Sequence, residues 1–372
     1  MDFEFSEEQH ALRDIVRRFL SERAPVPYVR DMLGDERGTT DEVWRGLAGL
    51  GVTGLLVPEA YGGAGMGMVD MGVVLEELGR AVHPGPFLSS AVAAVSTVLA
   101  VGSAVDQAEL LPGFADGSVI AALGLLEPNG RAGWRVATTR AGDDDRLTGT
   151  KVMVPDAVAA DLLLVTGRCK GGLGVFAVDA RADGVQITAT ETVDGTRKHA
   201  TVVLDRAPAR RLGGSDATDV ADATDAMAGV VDRILVALVV DGLGAAEVAL
   251  DLAVAYAKER TQFDRPIGSF QAVQHLCADM LQALELGRAG AYYALWAADT
   301  GDPVECHRAA TMAKAFTGDA FFRIGAGAIQ VFGGIGFTWE HDIHLFYKRL
   351  LTLQQSHGTT AEHLEELATL IL

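Results

Sequence analysis

The chain has 372 residues and is poor in several things that would narrow its role. Cysteine is scarce: Cys169, Cys277 and Cys306 form no CxxC pair, so neither a disulfide framework nor a zinc knuckle can be read. The odd count fits a reducing cytosol. Bases are outnumbered, 31 Lys and Arg against 50 Asp and Glu, for a formal charge of −19. That balance lacks the footprint of a nucleic-acid binder and would be repelled by an anionic membrane surface. It also gives no long-range steering toward a phosphate-bearing ligand, which local groups would have to hold. Aromatics reach only 6%, and 11 Pro with 43 Gly fall well short of the share typical of disordered chains. Long apolar runs are missing as well. The longest mild stretch, Ala91 to Val105, is broken by Ser, Thr and Gly and is too short to span a bilayer. Met1 to Gln9 carries acids where a secretory signal needs bases and an apolar core. The expectation is a soluble, cytoplasmic globular chain of one to three domains, with no nucleic-acid or membrane partner.

Familiar motifs are also absent. No GxGxxG follows a strand pattern, no GxxxxGK[ST] occurs, and there is no HExxH or GxSxG. His341 and His344 lie three apart and read as a surface pair, because a metal needs more ligands than two; no metal is expected.

What is present changes texture twice. Residues 1–117 read as helices. Ser6 with Gln9 makes a capping box, and Leu12, Ile15, Val16, Phe19 and Leu20 recur at helical spacing. From 118 to 212 the period becomes two, with short β-type runs parted by turn residues, as in a small sandwich or barrel. From 213 to 372 the pattern is helical again, and 220–260 reads as one long helix ended by Pro266. The acidic stretch 214–225 reads as a hinge or exposed cap. The fold class is α+β: an N-terminal helical domain, a middle β-sandwich or barrel domain and a C-terminal four-helix bundle.

Two blocks carry chemistry. The first runs from Arg260 through Gln262, Phe263, Arg265 and Phe270 to Gln271, where the long helix ends. Arg suits a diphosphate, and Gln amides suit an adenine or ribose edge. A plainer alternative is an Arg satisfying the helix dipole. The second block runs from Gln330 through Gly333, Gly334 and Gly336 to Trp339. Its glycines let backbone amides approach a ligand, or they form an ordinary helix C-cap and turn.

Together these blocks resemble the acyl-CoA dehydrogenase family of flavoproteins. So do Val57–Gly65 and the Glu76-Glu77-Leu78-Gly79-Arg80 segment, and the resemblance covers essentially the whole chain. It implies FAD bound between subunits of a homo- or hetero-oligomer, often a dimer of dimers. An acyl-CoA would be the substrate, and an electron-transfer flavoprotein the acceptor. Arg260 would contact the FAD pyrophosphate, while Phe263 and Gln271 with the neighbouring Gln262 would meet the adenosine. Gln330, Gly333 and Gly334 would serve a neighbouring subunit's FAD. Glu127, in Leu126-Glu127-Pro128, would lie beside flavin and thioester. Met153, in Met153-Val154-Pro155, would lie behind the isoalloxazine. Thr359 belongs to the segment that carries the family's catalytic Glu near the C-terminus.

The departures matter as much. That C-terminal segment reads Ser356-His357-Gly358-Thr359-Thr360, so His357 stands where the catalytic Glu usually does. The alternative position on the long helix is Ile234. Pro155 offers no N–H or hydroxyl to a flavin. The β-domain motif continues as Asn129-Gly130-Arg131-Ala132, unlike the family's usual AGSD. Two substitute bases stand open: His357, and Asp241 within the apolar run Ile234–Ala246. Asp241 reads alternatively as an ion pair or a helix-packing contact. A chain without the Glu also resembles a non-catalytic, FAD-site-completing subunit of a heteromeric family member.

Overall fold

A computed structural model describes residues 5–128, 133–142, 144, 146–214 and 222–372. The departure at Asn129–Ala132 and most of the acidic stretch 214–225 lie outside the described residues. The helices α1 (Glu7–Arg23), α2 (Val26–Leu33), α3 (Asp41–Gly49) and α4 (Met68–Arg80) come first. Ser6 caps α1 with Gln9 closing the expected box. The Ala-rich segment follows as a π-helical turn, Leu88–Ala94, running into α5 (Val95–Val101), and then α6 (Ala104–Ala115).

The strands are β1 (Ala121–Gly124), β2 (Arg140–Ala141), β3 (Arg146–Pro155), β4 (Leu162–Cys169), β5 (Gly172–Asp179), β6 (Val185–Thr190), β7 (His199–Pro208) and β8 (Arg210–Arg211). They join one mixed sheet in the order β6-β7-β3-β2-β4-β5-β8, with β1 paired in parallel to β4. Period-two burial fits the sequence reading, since alternate residues of β3 and β7 such as Leu147, Val202 and Leu204 reach the core below. The β3–β7 register slips between Lys151 and Val154, and that bulge turns Met153 into a left-handed backbone (φ 50°).

Beyond the sheet lie α7 (Thr224–Glu259), a two-strand ribbon of β9 (Thr261–Gln262) and β10 (Arg265–Pro266), then α8 (Gln271–Asp299), α9 (Pro303–Phe332), α10 (Ile343–Gln355) and α11 (Thr360–Ile371). The 36 residues of α7 end at Glu259, within a residue of the expected 260, and the ribbon then reverses the chain before Pro266.

By contacts the chain divides into two units. One comprises residues 1–29, 68–83 and 235–372; the other comprises 30–67 and 84–234. In the first, α4 crosses α7 with backbones touching. A Cβ on Gly79 would stand 1.9 Å from the Asp241 carbonyl, and one on Gly244 would stand 2.0 Å from the Glu76 carbonyl. The Glu76-Glu77 pair beside this crossing is buried and held. Glu77 accepts a fork from Arg17 (2.7 and 2.8 Å), and Glu76 accepts from the Tyr292 hydroxyl (2.9 Å) and Arg288 (3.3 Å). Burial pushes the Glu76 carboxyl up, against the pull of Tyr292 and Arg288. The helix α9 and the turn after it, Pro303–Phe337, are long and apolar enough to cross a membrane, but much of that stretch is buried within the protein.

Candidate active site

In the helical unit the two sequence blocks meet at one end of the bundle. The Arg260 amide still bonds the Tyr256 carbonyl (2.8 Å), and the Tyr256 ring packs on Phe332 (centroids 4.5 Å apart), the residue before Gly333. Thus the end of α7 and the glycine turn after α9 are neighbours. The ribbon between α7 and α8 is a two-residue hairpin with Phe263 (φ 54°) and Asp264 (φ 60°) both left-handed. Such a turn favours Asn or Gly, and a Phe there is strained. Phe263 is nevertheless 87% exposed, set edge-on to Phe270 (centroids 6.0 Å apart), which carries the Arg265 guanidinium over its face (4.0 Å). An exposed aromatic held in a costly backbone marks a surface shaped for a ligand or a partner.

The polar groups of this end are available. Among the described residues the exposed Arg260 guanidinium has no carboxylate partner and no hydrogen bond. Gln262 lends its amide N–H to the Thr261 carbonyl (2.8 Å), which leaves its oxygen. Gln271 is exposed at the first turn of α8, whose N-cap, Phe270, supplies no side-chain cap. Gln330 is exposed at the end of α9, and a Cβ on Gly333 or Gly334 would meet nothing within 4 Å. A free guanidinium, open helix N–H groups, amide oxygens and a glycine turn suit a diphosphate-bearing nucleotide.

The remaining candidates are more committed. Asp241 is 3% exposed, and both its oxygens accept from Nη1 of the buried Arg349 (3.0 Å each), whose Nη2 donates to the His83 carbonyl (3.1 Å). Thr359 caps α11, sharing a capping box with Glu362. His357 (φ 53°) is half-buried in the α10–α11 connection, and its carbonyl accepts from His363 Nε2–H (2.9 Å). Ile234 is 3% exposed.

In the sheet unit, Glu127 accepts from Lys151 Nζ (2.7 Å), the Thr138 hydroxyl and amide, and the Thr139 amide (3.0 Å). Lys151 is fully buried and also donates to the Leu125 carbonyl (3.2 Å) and Thr166 (3.0 Å). Burial alone would raise the Glu127 carboxyl, but Lys151 and the threonine donors outweigh it and hold it at about 2. The side chain thus seats the start of the Thr138 segment against β3. Met153 is 40% exposed. Among the described residues no cluster of three His, Cys, Asp or Glu is placed to hold a metal.

Sequence reasoning passed over Arg349 and Lys314. Lys314 lies in the apolar middle of α9 between Ala313 and Ala315, and a lone base in such a run was the available signal.

Family comparison agrees with this layout. The acyl-CoA dehydrogenase N-terminal domain matches residues 6–118 and the acyl-CoA dehydrogenase C-terminal domain matches 230–372. The chain belongs to the acyl-CoA dehydrogenase family. Among relatives, acyl-CoA dehydrogenase FadE34 of Mycobacterium tuberculosis is 36% identical over 92% of this chain, which spans only 45% of that protein's length. Acyl-CoA dehydrogenase IpdE2 of Mycolicibacterium smegmatis is 31% identical over 97% of this chain and 98% of its own. A solved variant of the Tcur3481-Tcur3483 steroid ACAD superposes with a TM-score of 0.89 at 34% identity, covering 98% of both chains. Acyl-CoA dehydrogenases act on the CH–CH group of an acyl-CoA.

Proposed function

We propose that this chain is an FAD-dependent oxidoreductase that forms the α,β-double bond of an acyl-CoA thioester and passes the electrons to an external acceptor, an electron-transfer flavoprotein. The observation that carries the reading is the ligand-ready end of the bundle, where exposed Arg260, the strained Phe263 hairpin and the Gly333-Gly334 turn lie together. Arg260 and the open N-terminus of α8 would hold the diphosphate, Phe263 would pack on the adenosine, and the oxygens of Gln262 and Gln271 would accept from its edge. Gln330 and the glycine turn would serve the FAD of a neighbouring subunit, which makes the working form an oligomer in the cytoplasm. FAD, when bound, supplies the acceptor for the hydride from the β-carbon. A ring nitrogen of His357 would take the α-proton, as neutral imidazole can near neutral pH. Asp241 is a poor rival, because its charge is already matched by Arg349.

A second reading, a non-catalytic subunit that completes the FAD site of a paralogue, is favoured by one observation. Neither family base position carries a carboxylate: one holds buried Ile234 and the other His357. One experiment separates the two. The purified chain is examined for a flavin spectrum and titrated anaerobically with a panel of acyl-CoAs. Bleaching supports the dehydrogenase reading, whereas bound flavin that no thioester reduces supports the subunit reading. In either case Arg260→Ala should lower the flavin-to-protein ratio on purification; an unchanged ratio would refute the diphosphate role.

A further inference from the structure

The four residues joining α10 to α11, Ser356 to Thr359, contain a backbone that side chains rarely adopt: His357 at φ 53° followed by Gly358 at φ 105°. Something outside the connection must hold it. Lys314 of α9 is 0% exposed, and its Nζ donates to the Gly358 carbonyl (2.8 Å) and reaches the Gln354 carbonyl (3.5 Å) at the end of α10. No carboxylate lies within ion-pair distance of that ammonium among the described residues; the acids acting on it are Asp319 of its own helix and Glu362 of α11. Gln354 is in turn fixed by its amide on Asp319 (2.8 Å). From the other side, His363 of α11 donates to the His357 carbonyl, and its ring lies 2.8 Å from where a Cβ on Gly358 would stand. Two consecutive carbonyls are thereby gripped by donors from two different helices.

A buried ammonium aimed at backbone carbonyls is an expensive way to hold a turn, and burial pushes this one down to about 8. We infer that Lys314, with His363, is a positioning residue: it sets the left-handed His357–Gly358 backbone and so places the His357 side chain where the reaction needs it. The inference rests on the dehydrogenase reading above, and adds to it a residue that touches neither substrate nor cofactor.

The test uses the holoprotein and the variants Lys314→Met and Lys314→Arg. Hydrogen exchange is followed in the peptide spanning residues 354–360, and flavin reduction by the best acyl-CoA is followed in stopped flow. Lys314→Met should speed exchange of that peptide at least tenfold, with peptides from α8 unchanged. It should lower the limiting reduction rate at least tenfold while the acyl-CoA concentration for half-maximal rate stays within twofold, and Lys314→Arg should recover part of both. Unchanged exchange in Lys314→Met would overturn the inference. So would a loosened connection with an undiminished reduction rate, since the placement of His357 would then be immaterial. Wild-type protein that no acyl-CoA reduces would sink the dehydrogenase reading instead, and the exchange result would still decide whether Lys314 holds the turn. Should Lys314→Met not fold, His363→Phe, which keeps a ring but has no donor for the His357 carbonyl, removes the second grip and is read in the same way.

Discussion

Two buried lysines, Lys151 and Lys314, are handled in opposite ways, and each has its own consequence. Glu127 and Lys151 form a closed pair, the carboxylate also accepting from the Thr138 and Thr139 amides and the ammonium also donating to Thr166. Replacing Glu127 by Gln strands the Lys151 ammonium in the sheet, so it should destabilise the chain by about 3–5 kcal/mol in denaturant unfolding. Because the Glu127 carboxyl is held at about 2 when folded and sits near 4.5 otherwise, its stabilisation is complete above that higher value. It is lost as pH falls from 4.5 toward 2, and acid unfolding of Glu127→Gln should be flatter across that window than that of the native chain. Lys314 has the opposite sign. Its ammonium is held at about 8 when folded, below the ordinary 10.5, so the folded state resists its charge at neutral pH. Native stability relative to Lys314→Met should therefore rise as pH climbs from 8 to 10. None of these partnerships was legible beforehand. Asp241 and Arg349 lie 108 residues apart and Glu127 and Lys151 lie 24 apart, and pairing over such separations follows from tertiary packing that periodicity does not encode. The open choice at Asp241, base or ion pair, could be posed from its apolar run, but the Arg that answers it could not be named.

At the scale of elements, legibility was much better. The helix over 271–299 and the strand over 185–190 follow from patterns that depend on near neighbours alone. The end of α7 falls within a residue of the expected 260, but the hairpin that follows was not foreseen: Asp264 suits a left-handed turn, whereas Phe263 gives no sign of one. That hairpin invites a test. Phe263→Gly relieves strain in an exposed turn, and should stabilise the flavin-free chain by roughly 1 kcal/mol while weakening FAD retention. A variant that loses stability along with flavin would show that Phe263 serves the fold. The α4–α7 crossing has no such latitude. Gly79→Ala puts a methyl group onto a backbone carbonyl, so the helices must separate, and thermal unfolding should report a loss of at least about 2–3 kcal/mol.

For the whole molecule, the charge of −19 and the exposed Arg260 fit together: the overall field offers an anionic cofactor nothing, so its capture depends on a few local donors. Retention of flavin should accordingly be sensitive to single substitutions at that end of the bundle and only weakly sensitive to ionic strength. Sequence texture divides the chain by kind of secondary structure, whereas contacts group α1 and α4 with the late helices, because the Gly79 and Gly244 backbones and the Arg17–Glu77 fork join segments far apart in sequence.

That discontinuity bears on how the protein is made. Residues 30–67 and 84–234 can complete their unit while the ribosome is still working, but α1 and α4 emerge long before the α7 surface that receives them. Until then the apolar faces of two early helices are without their partner, and the chain is most open to aggregation and to chaperones at that stage of synthesis. The α4–α7 crossing thus acts as a late checkpoint in biogenesis, closing only after most of the polypeptide exists.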